Sequence, residues 1–158
     1  MKSLVVFYSR TGITKRVADA IAEILECDIE EVHDTKNRDG SVGFLASIKD
    51  AVSKKLTTIE AIKKNPASFD LVIIGTPVWA NTMSSAIRAY ISQNKQNFQQ
   101  VAFFCTQHTS GSKKTFSDME KLSEKKPVAL LELKTKEVKK AVYMQKVKKF
   151  TDKINEGK

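Results

Sequence analysis

An α/β fold built on a parallel sheet is what this sequence predicts, and three features carry the prediction. Apolar runs alternate strictly with amphipathic stretches, strand then helix, five times over. The runs Leu4–Tyr8, Leu71–Ile74, Val101–Cys105 and Val128–Leu133 are apolar and bounded by turn residues, as strands buried on both faces are. The remaining strand, Cys27–His33, has only Ile29 and Val32 as large apolar residues, and so polar a strand belongs at a sheet edge.

The elements follow in order. Leu4–Tyr8 runs into Ser9-Arg10-Thr11-Gly12-Ile13-Thr14, after which Val17, Ile21, Ile24 and Leu25 recur at helical spacing. The polar second strand leads into one long irregular stretch, residues 33–44, with Gly40 and Gly43 as breakers, and then a helix around Leu45–Lys55. Leu71–Ile74 is ended by Gly75, Thr76 and Pro77, and a loop carrying Trp79 precedes a helix marked by Met83, Ala86, Ile87, Tyr90 and Ile91. Val101–Cys105 opens onto a polar loop, and Val128–Leu133 runs on to a last helix without an added segment. That helix shows the stripe Tyr143, Val147, Phe150 and Ile154 with lysines opposite. With 158 residues and no repeat or linker, the expectation is one domain over residues 1–158.

Composition excludes several function classes. No apolar run approaches the roughly 20 residues that span a bilayer, so membrane insertion is not expected, and the N-terminus reads as a first strand and not as a signal peptide. Cys27 and Cys105 offer neither a disulfide framework nor zinc-ligand spacing, which points to the cytoplasm. No carboxylate pair, nucleophile–base pair or metal-ligand cluster supports hydrolysis or metal chemistry. The formal net charge is +9, and Lys134–Lys158 holds nine lysines against Glu137, Asp152 and Glu156, a local +6. Such a surface attracts an acidic partner, nucleic acid or an anionic membrane; a lysine face kept for solubility is the plainer account.

In an open parallel sheet, ligands bind where the strands' carboxyl ends meet solvent. In the first such loop Gly12 allows a tight turn, Thr14 can cap the helix, and the free amides of the helix start favour an anion. Its three closely spaced hydroxyls suit the oxygens of a phosphate monoester. The loop lacks the glycines of a P-loop or a dinucleotide fingerprint, and taken alone it reads equally as a capping sequence with incidental hydroxyls. Trp79 is either packing or a platform for a planar ring. In the loop Thr106–Gly111, His108 taken alone is a solvated loop residue.

Together the three loops resemble the flavodoxin family, specifically its short-chain members. Ser9-Arg10-Thr11-Gly12-Ile13-Thr14 matches the family's phosphate pattern Ser/Thr-x-Thr-Gly-x-Thr, and Gly75-Thr76-Pro77-Val78-Trp79 is similar to the second flavin loop. Thr106, Gln107, His108, Thr109, Ser110 and Gly111 occupy the place of the third. The resemblance implies a three-layer sandwich, a five-stranded parallel sheet in order 2-1-3-4-5 with helices on both faces, and FMN as cofactor. By that resemblance Ser9, Thr11, Gly12 and Thr14, with Arg10 and Ile13 in the same loop, hold the phosphate. Thr76, Pro77, Val78, Trp79, Ala80 and Asn81 wall the flavin ring, and the third loop meets its other edge. The implied function is electron transfer between redox partner proteins, without catalytic residues. Two departures stand out: flavodoxins are typically acidic, whereas this chain is basic, with Arg10, Lys15 and Arg16 beside the phosphate loop. Acidic redox partners are therefore expected, nucleic acid is not, and the scarcity of acids near the loops suggests a less negative potential. The alternatives are a flavin-dependent NAD(P)H quinone or nitro-compound reductase on the same fold and a flavin-free basic binding module.

Overall fold

Five strands lie parallel in one sheet. The computed structural model describes residues 1–35, 40–53 and 56–156. In chain order the elements are β1 (Ser3–Phe7), α1 (Ile13–Leu25), β2 (Asp28–Glu31), α2 (Gly40–Val52), β3 (Leu71–Trp79), β4 (Thr82–Met83), α3 (Ser85–Asn94), β5 (Gln100–Gln107), α4 (Ser112–Ser123), β6 (Leu130–Lys134), α5 (Thr135–Lys139) and α6 (Met144–Glu156). The parallel strands pair in the order β2-β1-β3-β5-β6, and β4 adds an antiparallel sixth strand at the end of β3. Leaving out β4, this is the order 2-1-3-4-5 implied by the resemblance.

The apolar runs are explained by burial on both faces. Leu4 and Val6 of β1 join Val72 and Ile74 of β3 and Ile87, Tyr90 and Ile91 of α3 in one core. Val5 and Phe7 point the other way, into a second core with Val17 and Ile21 of α1 and Val147 and Phe150 of α6. The central strands therefore have no solvent face on which a polar residue could alternate. β6, at an edge, does alternate: Leu131 and Leu133 are buried, whereas Leu130, Glu132 and Lys134 are exposed. The β2 edge is strapped by residues 59–64. Asp34 bridges Ile59, and the buried Glu30 carboxylate accepts the Lys63 and Lys64 amide hydrogens.

Three expectations are corrected. Gly40 opens α2 and Gly43 lies inside it, buried; packing overrides the roughly 1 kcal/mol of helix propensity a glycine forfeits. Residues 36–39 of the expected irregular stretch, and 54–55 of the expected helix, lie outside the described residues. Gly75, Thr76 and Pro77 do not end β3, which runs on to Trp79. Nor does β6 lead straight to the last helix: α5 and a turn intervene, and Lys139 belongs to α5.

Gly75 shows how tightly neighbouring strands pack within the sheet. A Cβ there would lie 1.9 Å from Cζ of the fully buried Phe104 ring. Gly75→Ala should cost at least about 1–3 kcal/mol by overpacking. A thermal melt lowered by several degrees, partly restored in the double variant with Phe104→Leu, is the expected outcome.

Candidate functional site

The carboxyl ends of β1, β3, β5 and β6 meet around one open cleft of about 660 Å3 including its mouth. Its lining draws on all three loops singled out in the sequence.

The first wall is the turn from β1 into α1. Gly12 adopts φ 81° as the N-cap, a left-handed conformation that suits glycine, and no side chain caps this helix. The expected cap, Thr14, lies inside the helix instead. The first helical bond runs from the Arg16 amide to the Gly12 carbonyl (3.1 Å), so the amides just before it have no intrahelical acceptor. Ser9 Oγ is buried without a hydrogen-bond partner. Thr14, buried, places Oγ1 2.8 Å from Oγ1 of Thr106, tying this wall to the third. Arg10, Thr11, Ile13 and Thr14 line the cleft; Ser9 and Gly12 of the same turn are not in its lining.

The second wall is a hairpin, not a loop. Parallel pairing of β3 with β5 continues to Pro77 opposite Thr106, and β3 then pairs with β4, Val78 with Met83 and Trp79 with Thr82. Ala80 and Asn81 form the two-residue turn, both left-handed at φ 49° and 61°, as a primed hairpin turn requires. Ala-Asn lacks the Asn-Gly or Asp-Gly signal of such turns, which is why the sequence reads as a loop. Trp79 is buried edge-to-face against Tyr8, with centroids 5.6 Å apart and planes at 84°, and it still reaches the cleft with Pro77, Val78 and Ala80. Thr76 does not line the cleft. It is fully buried, and its hydroxyl donates to the Pro77 carbonyl (2.9 Å) and accepts the Ser84 amide hydrogen (3.0 Å). Asn81 is exposed and also outside the lining.

The hairpin is anchored from behind. Arg88, itself buried, donates through Nη2 to Thr82 Oγ1 (2.8 Å), which donates to Asp118 of α4 (2.9 Å). Burial lowers the Arg88 pKa from its ordinary value, and Asp118 opposes that shift. Gly111, at φ 114°, lets the third loop approach: a Cβ there would lie 2.8 Å from Asn81 Oδ1 and from Val78 Cγ1.

The third wall follows β5. Thr106, Gln107 and His108 line the cleft, whereas Thr109, Ser110 and Gly111 do not. Gln107 Oε1 accepts the Ser112 amide hydrogen (3.0 Å), satisfying the start of α4. Two lining residues escape the sequence reading, Ile48 of α2 and Thr135 of α5. Thr135 directly follows β6, so the carboxyl-end rule would have found it; its hydroxyl donates to the Gln107 carbonyl (3.3 Å). Ile48 carries no signal beyond its place in a helix. Among the described residues, no carboxylate lines the cleft and no cluster could hold a metal ion.

Comparisons with known proteins bear on the family and the fold. A family model described as flavodoxin matches residues 2–154. No curated protein matches the chain. Among solved structures, a flavoprotein of Lactobacillus acidophilus NCFM in complex with FMN is similar at 25% identity and a TM-score of 0.67, over 88% of this chain and 97% of that one. A protein of Bacteroides uniformis described as a flavoprotein is similar at 21% identity and a TM-score of 0.70, over 89% and 97%. Oxidised flavodoxin 2 of Bacillus cereus is 14% identical, with a TM-score of 0.66 over 100% of both chains, a likeness of fold.

The Thr14–Thr106 pair makes a direct test of how the walls are joined. Thr14→Val leaves the buried Thr106 hydroxyl without its partner and should cost about 1–3 kcal/mol of stability. Thr106→Val should cost a similar amount, and the double variant less than the sum of the two in a denaturant-unfolding cycle.

Proposed function

Because the chain belongs to the flavodoxin family, we propose that it binds FMN in this cleft and serves as an electron carrier between redox proteins. The observation that carries the reading is the anion cradle at the foot of α1: buried, unpartnered Ser9 Oγ beside helix-start amides without intrahelical acceptors. A phosphate monoester supplies the acceptors such a cradle is missing. The Thr14–Thr106 pair fits as well, since whichever hydroxyl donates to the other, the second keeps one O–H to give.

Bound FMN supplies the electron chemistry. The residues' part is to hold and enclose it. Ser9, Thr11 and Thr14, with the amides around Gly12, hold the phosphate, and Arg10 adds positive charge at the wall. Ile13, Ile48, Pro77, Val78 and Trp79 give the ring an apolar berth, and Gln107 and His108 offer polar groups at its far edge. No carboxylate among the described lining residues opposes the negative charge gained on reduction, which favours a less negative potential. Among the described residues no helix is long and apolar enough to cross a membrane. The unpaired cysteines suit a reducing compartment such as the cytoplasm, and the basic surface suits acidic redox partners.

Titration of the apoprotein tests this reading. FMN should bind with a flavin absorption band and quench Trp79 fluorescence, and riboflavin, lacking the phosphate, should bind far more weakly. Thr14→Ala should weaken FMN binding by about 1–3 kcal/mol while leaving riboflavin nearly unaffected. Equal affinity for the two ligands would remove the phosphate assignment. Steady NADPH oxidation by the pure holoprotein would favour the reductase.

A further inference from the structure

The lysine-rich end of the chain does not fold as one helix. α5 closes in a Schellman turn, with the Val142 amide on the Glu137 carbonyl (3.1 Å), the Ala141 amide on the Val138 carbonyl (3.2 Å), and Ala141 at φ 55°. In such turns the residue after the left-handed position commonly packs back on its helix. The same turn at the end of α1 does so: the Cys27 amide bonds to the Ala22 carbonyl, and Cys27 packs on the core. At α5 the equivalent residue is Val142, which is 64% exposed, and Met144 is 43% exposed. Val138 and Tyr143 already meet the core here, so Val142 and Met144 are left in water.

The charge around these two side chains is one-sided. Glu137 holds Lys146 (2.7 Å) and Asp152 holds Lys148 (3.0 Å). The Lys146 hydrogen bond is the main cause that keeps the Glu137 pKa below its ordinary value, helped by the Lys134 amide. Lys136, Lys139 and Lys140 are exposed and have no carboxylate partner among the described residues. The turn is also close to the cleft. Thr135, which lines the cleft, begins α5, and five residues at 1.5 Å rise amount to roughly 8 Å.

We propose that this turn, Val142 and Met144 framed by Lys136, Lys139 and Lys140, is the docking face for an acidic redox protein; the inference rests on the electron-carrier reading. Charge complementarity selects the occupant. A second copy would bring the same lysines against these. An anionic bilayer is poorly served, because the apolar stripe of α6 is packed on the sheet and cannot lie in a membrane interface. Electron exchange falls steeply with separation, so a partner gains from docking beside the cleft and not along the outer face of α6, where Lys149 and Lys153 lie.

The test compares two charge-matched double variants. With an acidic [2Fe–2S] ferredoxin as probe, Lys139→Gln with Lys140→Gln should weaken association about tenfold at low salt, and Val142→Ser should weaken it severalfold. Lys149→Gln with Lys153→Gln should change it less than about twofold. Carbodiimide cross-links should fall on Lys136, Lys139 and Lys140. Equal losses from both pairs, scattered cross-links or no complex would each overturn the docking face. So would Val142-dependent sedimentation with phosphatidylserine vesicles in place of ferredoxin binding, or self-association through the turn. Flavin absorbance read on the same samples separates the two readings. Docking at the turn by protein that retains no FMN overturns the carrier alone, and FMN-loaded protein that docks elsewhere overturns this inference alone.

Discussion

Parallel pairing of β3 with β1 on one side and β5 on the other is the constraint on which the site depends. Because the strands run the same way, their carboxyl ends open at one edge of the sheet, and residues nearly a hundred positions apart become neighbours there. Thr14 reaches Thr106 across 92 positions only because β1 and β5 flank the same strand. The pairing also dictates composition. A strand buried on both faces tolerates little polarity until it leaves the sheet, so polar side chains collect at the strand ends, where a ligand can use them.

Most of the fold is written in periodicity. The double-faced burial of β1, β3 and β5 needs continuous apolar runs, and α1 and α6 need the stripes that carry Val17, Ile21, Val147 and Phe150. What escapes the sequence is decided by contacts distant along the chain. Gly75 reads as a breaker because glycine usually is one; here it stays in the strand because Phe104 occupies the space its side chain would need. The Ala80–Asn81 turn is invisible to turn statistics, since the left-handed pair is held by the pairing of Trp79 with Thr82 and by the Arg88–Thr82–Asp118 relay. That Arg10, Thr11 and Thr14 reach the cleft was legible because the signal is local: a glycine for the turn and hydroxyls beside a helix start. Thr135 was open to the same reading, since it directly follows β6, whereas Ile48 reaches the cleft from a helix whose own sequence announces nothing.

The relay behind the hairpin divides labour within the site. The cleft-facing side of the second wall is mainly apolar, and its position is fixed from the far side by hydrogen bonds that no ligand touches. A buried arginine hydrogen-bonded to threonine, and through it to aspartate, gives direction that apolar contact cannot, because hydrogen bonds lose strength quickly as their geometry departs from linear. Gly111 completes the arrangement by letting the third loop lean on Asn81 and Val78. The hairpin and the third loop are thereby held against each other by contacts that need no ligand.

The two borders of the sheet are finished in different ways, and the difference bears on how the chain survives at high concentration. An unpaired strand is a template on which another molecule can add its own strand, the first step toward fibrous aggregates. Along β2 that template is taken by the chain itself, through the Asp34–Ile59 bridge and the Glu30 carboxylate that gathers the Lys63 and Lys64 amides. Along β6 no further strand pairs among the described residues. The strand is five residues long, it carries Glu132 and Lys134 on its outward positions, and it is cut short where α5 begins. A stray strand seeking to extend the sheet there would have to bury those charges for a short ladder, so β6 discourages growth by charge and brevity where β2 does it by occupation.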